Sequence, residues 1–593
     1  MKLFFSLAFA AALAAPLSGL HAGSLTPPDG PPQPTMKTLD QVEPGTPITH
    51  EDMPFAINTP GYYYLTENIG SEGYASITIS TGGSVTLDLK GFTLSGEIEI
   101  TDRTNAQRGS STTIRNGHLT DKGIANQGFK TNDLPARPLI LENLTISKCV
   151  YALDRVTNVI LRNCQLADNQ TGIATGQANT YIQASNSSIT GSTAAIRNNT
   201  PDRLSIEGLT ISGCDRTIEN SGFLSALELR DCRMEIQEVL NIPLFSRLEN
   251  CHFDVISDSA FEVDDMLMEG EVFITGCTII NQGGNSSSTS ALLLNRGAQV
   301  TQTKILNFPR VIGAGQNVVI DQVQITYNRD DGYGERAITA ERGLTLSNSL
   351  ITGYQVGVDA PDGEASISKC QFFSADWGDT GVQVGENSSI AECTVRGYAT
   401  GIEADQSLVE NCRVLGSSHP YSNIGINTYE SVVADNAISN YDTAIYGEGI
   451  QVSGNRIINC QTGIRAVGHN IIVRQNTITA QDGIEGFNGI YADNVINADG
   501  GAAIDVDTEN SVIVRNIARG NTPDRLFPFP PYDYMGGTVG PVVSGILGSK
   551  EGDTQTQPIS IFIDGQVAVI EGNNELPLGS PGISPWANVA SEQ

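Results

Sequence analysis

The sequence predicts an all-β solenoid of stacked parallel strands. Three observations carry that prediction: a frame that returns about every 20 residues, apolar runs only 3–5 residues long, and turns of Gly, Asn, Asp and Ser between them. The frame is a short apolar strand, a Cys or Asn, an apolar residue, a turn, then a small residue, an Ile or Val, and one polar position. It reads RVTNVILRNCQLADNQTGIAT at 155–175, VVADNAISNYDTAIYG at 432–447 and VSGNRIINCQTGIRA at 452–466. It continues as IVRQNTITAQDGIEG at 472–486 and YADNVINADGGAAIDV at 491–506. A unit of this size cannot bury its own apolar face, whereas stacked units share one continuous core. Short Ile, Val and Leu runs broken by turn residues select strands over helical repeats of similar length.

Along the chain, residues 1–22 read as a signal peptide: Lys2 is the charged start, Leu3–Ala15 is apolar, and Leu20-His21-Ala22 is an acceptable cleavage site. The apolar run is well short of the roughly 20 residues that span a bilayer, so a membrane anchor is the poorer reading. Residues 23–52 are a linker dense in Pro and Gly, followed by a lead-in to the repeats. The repeats, with an N-terminal cap at Met53–Gly70, occupy 53–520. About twenty coils are expected, with right-handed crossovers because parallel connections are overwhelmingly of that hand. Residues 521–593 lack the frame and read as a C-terminal capping, fold-back segment. There Leu526–Tyr532 and Trp586 are aromatic anchors and Val567–Ile570 is a further strand. Open solenoid ends need such covers. A sorting signal is the other reading of this ending.

Several segments outside the repeat frame carry a family resemblance. The lead-in TMKTLDQVEP (35–44), the runs PGYYYLTENI (60–69) and VTLDLKGFTLSG (85–96), and the terminal Pro585-Trp586-Ala587-Asn588 resemble large secreted bacterial right-handed β-helix repeat proteins. These belong to the pectate-lyase-like superfamily of right-handed parallel β-helices. The resemblance covers roughly 35–593 and implies the architecture of that group, a branch with no settled activity. The chain has neither the NTD…DD…HG…RIK series of polygalacturonases nor the WxDH of pectate lyases.

Net charge is −32, from 34 Lys and Arg against 66 Asp and Glu. Such a surface disfavours nucleic acid, anionic membranes and unaided binding of uronic-acid polymers. A neutral polymer, or an anionic one bridged by Ca²⁺, stays open. The plain alternative is a charge that serves solubility alone.

Ten cysteines in an exported chain suggest disulfides, but their positions argue otherwise. Cys164, Cys232, Cys251, Cys277, Cys370, Cys393 and Cys412 share one frame position, which Asn436, Asn455, Asn476 and Asn494 take in later coils. Cys149, Cys214 and Cys460 share a second. This is the pattern of vertical ladders, Cys as a small apolar filler and Asn as a turn and ladder former. Stacked neighbours about 4.8 Å apart have parallel Cβ vectors, which strains a bridge, so mostly free, buried thiols are expected.

The residue after each inward Ile points outward. That gives Asp154, Ala174, Arg197, Glu219, Asn241 and Glu262. After middle coils that the pattern does not place, it gives Asp359, Gln383, Glu403, Asn427, Tyr446, Arg465, Glu485 and Asp505 at intervals of 19–24 residues. Tyr446, Arg465, Glu485 and Asp505 are the chemically diverse stretch and the candidate substrate-binding set. Tyr446 suits a sugar face, Arg465 is a fork donor, and the carboxylates accept hydroxyls. In a lyase, Arg465 or Tyr446 would take a proton; in a hydrolase, Glu485 and Asp505 would be the pair. The competing reading is a solvated ladder with one Arg between acids. Asp330-Asp331, and Asp505 and Asp507 with Asn510, have the oxygen density of a Ca²⁺ site without a defined loop motif. No catalytic residue is assigned, no cofactor is required, and the histidines show no shared interval. Two functions remain: a non-catalytic extracellular glycan-binding or structural surface protein, and a polysaccharide-active lyase, hydrolase or epimerase. Either would be secreted or periplasmic, with a polysaccharide or cell-surface glycan as partner.

Overall fold

The computed structural model describes residues 45–70, 75–101, 110–126, 138–176, 179–199, 203–220, 224–243, 245–256, 259–263, 272–283, 290–294, 296–328, 333–417, 423–506, 511–520, 542–550, 559–563 and 566–570. The chain divides at Thr46/Pro47, and the solenoid lies in the second unit, Pro47–Gln593. The segments expected to be a signal peptide (1–22), a Pro/Gly linker and aromatic anchors (Leu526–Tyr532 and Trp586) lie outside the described residues, as do Asp330, Asp331, Asp507 and Asn510.

The fold is an all-β parallel solenoid of about 18 turns, close to the twenty expected. Each turn carries three strands. In one coil they are Val432–Ala434, Ala437–Ser439 and Thr443–Glu448, and the next coil repeats them at Gln451–Ser453 and within Arg456–Val467. Each of these strands pairs in parallel with its counterpart one coil away, which builds three faces. We call them the first, second and third face in that order.

The corners explain the turn-residue signal. Between faces one residue adopts the left-handed region and the next drops into the core. Asp435 (φ 56°) precedes Asn436, Asn440 (φ 62°) precedes Tyr441, and Gly449 (φ 65°) precedes Ile450. Asn, Asp and Gly tolerate this geometry at least cost.

The inward residues after the first corner form the expected ladder. Register stacks Cys232, Cys251 and Cys277, and likewise Cys370, Cys393 and Cys412. Asn436, Asn455, Asn476, Asn494 and Asn516 extend the second stack. Cys412 N donates to Asn436 Oδ1 at 2.8 Å, Asn436 N to Asn455 Oδ1 at 2.9 Å, and Asn455 N to Asn476 Oδ1 at 2.9 Å. All ten cysteines are free and buried, as expected. The second corner holds Cys149, Cys214 and Cys460, and also Phe308, Tyr354, Tyr398 and Tyr441. The third corner carries a serine ladder that the repeat frame did not reveal. Ser388 Oγ accepts from Ala365 N at 3.0 Å, and Ser407 Oγ from Ser388 N at 3.1 Å.

Met53–Gly70, the expected N-terminal cap, supplies early rungs of the ladder: Phe55–Ile57 and Gly61–Leu65 pair in parallel with Ala75–Ile79 and Val85–Asp88. At the other end Val512–Gly520 pairs in parallel with Val542–Lys550. The strand expected at Val567–Ile570 belongs to Gln566–Ile570, which forms an antiparallel hairpin with Ile559–Ile563. Among the described residues no helix is long and apolar enough to cross a membrane.

Candidate functional site

The third face places the predicted column. Each strand there turns a small residue and an Ile or Val inward and the next side chain outward, so a fixed register stacks the outward residues. The register runs Asp359, Gln383, Glu403, Asn427, Tyr446, Arg465, Glu485, Asp505 without a slip. It also supplies the middle that the sequence pattern left open. Asn241 and Glu262 continue through Leu293, Gly313 and Thr339 to Asp359. Nearer the start, Ala174, Arg197 and Glu219 are successive rungs. Asp154 is separated from Ala174 by a register shift.

The four candidate residues are therefore vertical neighbours. Tyr446, Glu485 and Asp505 are half-buried and Arg465 is exposed. Arg465 Nε lies 3.4 Å from Glu485 Oε2. A ring, a guanidinium and two carboxylates thus stand on consecutive rungs about 4.8 Å apart.

The same column has a second chemically distinct stretch two to four coils toward the N-terminus from Tyr446. Asp359 is buried and pairs with the Arg336 guanidinium from the preceding coil. Glu403, two rungs beyond, is half-buried. Burial, then the charges of Asp405 and Asp359, push its carboxyl above the usual glutamate range. Spacing alone puts Asp359 and Glu403 on the column. Their unequal environments depend on side-chain packing and on Arg336, which belongs to another outward row, and no spacing encodes that.

One histidine acquires a partner that the spacing of histidines did not indicate. His252 Nε2 lies 3.3 Å from Asp254 Oδ1, and Asp254 also accepts from Arg233 at 3.1 Å and Gln282 at 3.2 Å. The signal available in the sequence was HxD within one strand, where both side chains share a face. Among the described residues no group of three or more His, Cys, Asp or Glu is arranged to hold a metal ion.

No curated protein matches the chain. Among solved structures, a PL6 family alginate lyase aligns at 10% identity and TM-score 0.25, over 80% of this chain and 98% of the lyase. The A-module of an Azotobacter vinelandii mannuronan C-5 epimerase aligns at 10% identity and TM-score 0.13, over 77% and 91%. An E. coli bacteriophage tailspike protein in complex with a pentasaccharide aligns at 11% identity and TM-score 0.16, over 78% and 69%. Residues 337–478 match the family described as a right handed beta helix region. The ladder makes the chain a parallel β-solenoid, and residues 337–478 of it match the right handed beta helix region.

Proposed function

We propose that the chain is an exported, non-catalytic protein that binds a polysaccharide or cell-surface glycan along the third face. The observation that supports this most is the unbroken register from Asp359 to Asp505. It lines up hydrogen-bonding groups of both kinds with one aromatic ring on consecutive rungs, as an extended polymer requires. Tyr446 offers a ring face, Arg465 a planar fork of donors, and Glu485 and Asp505 acceptors for hydroxyls. With a net charge of −32 the polymer is neutral, or is anionic and bridged by Ca²⁺. Export rests on the sequence of residues 1–22.

The test is a panel of neutral and anionic polysaccharides, each with and without Ca²⁺, scored for binding and for new reducing or unsaturated ends. Binding without new ends, weakened in Arg465→Ala and Tyr446→Ala, supports the proposal. Failure of the whole panel would leave a structural surface role.

A polysaccharide-active enzyme, lyase or hydrolase, is the second reading, and Glu403 favours it. A carboxyl whose proton is held more tightly by burial, then by the charges of Asp405 and Asp359, is suited to general-acid work. New ends formed by the parent and lost in Glu403→Gln would select this reading.

A further inference from the structure

We propose that the last rungs of the second face are a docking surface for the chain's own C-terminal hairpin, Ile559–Ile563 with Gln566–Ile570. The hairpin lies along the flank of the solenoid and not over its open end. Nothing in this depends on the third face binding a glycan.

The surface is a change of chemistry within one outward column. Register carries that column unbroken from Gln165 to Thr477, and its members are polar at every rung except Leu350 and Ala437. The next two rungs are Val495 and Ile517, and Leu547 takes the register position after them. Val495 is 46% exposed and Ile517 62%. Single exposed apolar residues are ordinary on a protein surface, but these stack on successive rungs where the same column has carried Thr, Arg or Gln. Covering them removes apolar area from water, which is favourable.

The hairpin has the matching need. It pairs with no third strand among the described residues. A lone two-stranded hairpin is marginal in water and is held only by packing against a further apolar face. Alternation along its paired strands assigns Ile559, Ile561, Ile563, Ala568 and Ile570 to one face. Asp564 is the only charged residue from 559 to 570, and Asp564-Gly565 between two such runs is a strong hairpin signal.

Reach and area favour this segment over a second copy of the chain. The strand Val542–Lys550 ends on the second face, with Lys550 beside Gly520. Residues 551–558 then extend at most about 28 Å before the hairpin begins. Ile517 and Val495 stand about 5 and 10 Å below the last rung, well inside that reach. Two or three side chains fall far short of the roughly 800 Å² per partner that a stable interface between copies buries. A segment on a short tether meets the same patch at a millimolar effective concentration, so a small contact holds it.

Backbone hydrogen exchange of the full chain reads the docking, with the amides of 559–563 and 566–570 as reporters. The double variant Val495→Thr, Ile517→Lys installs residues that the same column already carries at Thr477 and Lys304, so the ladder is kept. Ile490→Gln is the control on the first face, where Gln451 stands two rungs earlier in its column. Expected is a slowly exchanging hairpin in the parent and exchange at least about tenfold faster in the double variant, with the melting temperature of the solenoid unchanged. Ile490→Gln should exchange like the parent. The docking is overturned if the parent's hairpin exchanges like unstructured chain, or if the double variant protects it as well as the parent does. Release by Ile490→Gln would also overturn it. A concentration-dependent dimer of the parent that the double variant dissociates would assign the patch to a second copy instead.

Discussion

Arg465 and Glu485 face each other across one rung, Nε to Oε2 3.4 Å, with 56% and 35% of their side chains exposed. A pair so open to solvent gains little from its charges. Arg465→Ala should therefore lower stability by less than ~1 kcal/mol, and thermal unfolding measures it. The same variant should lose glycan affinity if the guanidinium is a ligand. Equal glycan binding by variant and parent would reduce the column to solvated surface.

The buried asparagine ladder should behave in the opposite way. Asn455 Oδ1 accepts from both Asn436 N at 2.9 Å and Asn436 Nδ2 at 3.0 Å, while Asn455 Nδ2 donates to Val433 O at 2.9 Å. Truncation leaves buried groups on two coils without partners, at about 1–3 kcal/mol each. Asn455→Ala should cost at least ~2 kcal/mol by chemical denaturation, far more than Arg465→Ala. A cost near zero would mean that the ladder relaxes around the gap.

These ladders were legible in the sequence because a strand has a period of two. A slip of one residue would turn Ile445, Ile464 and Ile484 outward, so the apolar pattern alone fixes Tyr446, Arg465 and Glu485 on one face. The column between Glu262 and Asp359 was not legible, because its outward residues Leu293, Gly313 and Thr339 have no common chemistry. The second-corner fillers were read only where they are Cys. Tyr354, Tyr398 and Tyr441 fill the same core position with a much larger ring, which residue type conceals and register reveals. Asp88, which accepts from Tyr62 Oη at 3.0 Å and Arg115 Nε at 2.9 Å, was not legible as a cluster for a different reason: the three residues come from three coils and meet only through stacking.

Thiol chemistry tests the stacking directly. The ten cysteines are free and buried; burial pushes Cys149 up to about 12 and Cys460 up to about 11, while hydrogen bonds from stacked neighbours pull Cys277 and Cys393 down. A thiol-labelling reagent at neutral pH should leave the native chain nearly unmodified, since all ten thiols are buried out of its reach. Denaturant without reductant should then release all ten. Recovery of four or five bridges instead would show that neighbouring rungs converge enough to be oxidised.

The pH dependence of stability should carry two opposite signatures from the third face. Glu219 has its pKa lowered, first by the hydrogen bond from Arg197 Nε at 2.7 Å and also by Arg216. Its contribution is present above the unfolded value of about 4.3 and is lost as pH falls through the lower folded value. Glu403 is shifted the other way by burial, then by Asp405 and Asp359. The folded state holds that proton more tightly than the unfolded chain, so its contribution is full below about pH 4.3 and disappears as pH rises through the folded value. Urea denaturation of parent and Glu403→Gln between pH 4 and 8 isolates the second signature, because Glu219 is common to both chains. The variant, neutral throughout, should gain stability relative to the parent as pH rises. Parallel curves would mean that Glu403 titrates like a solvated carboxyl, which would remove the observation on which the catalytic reading depends.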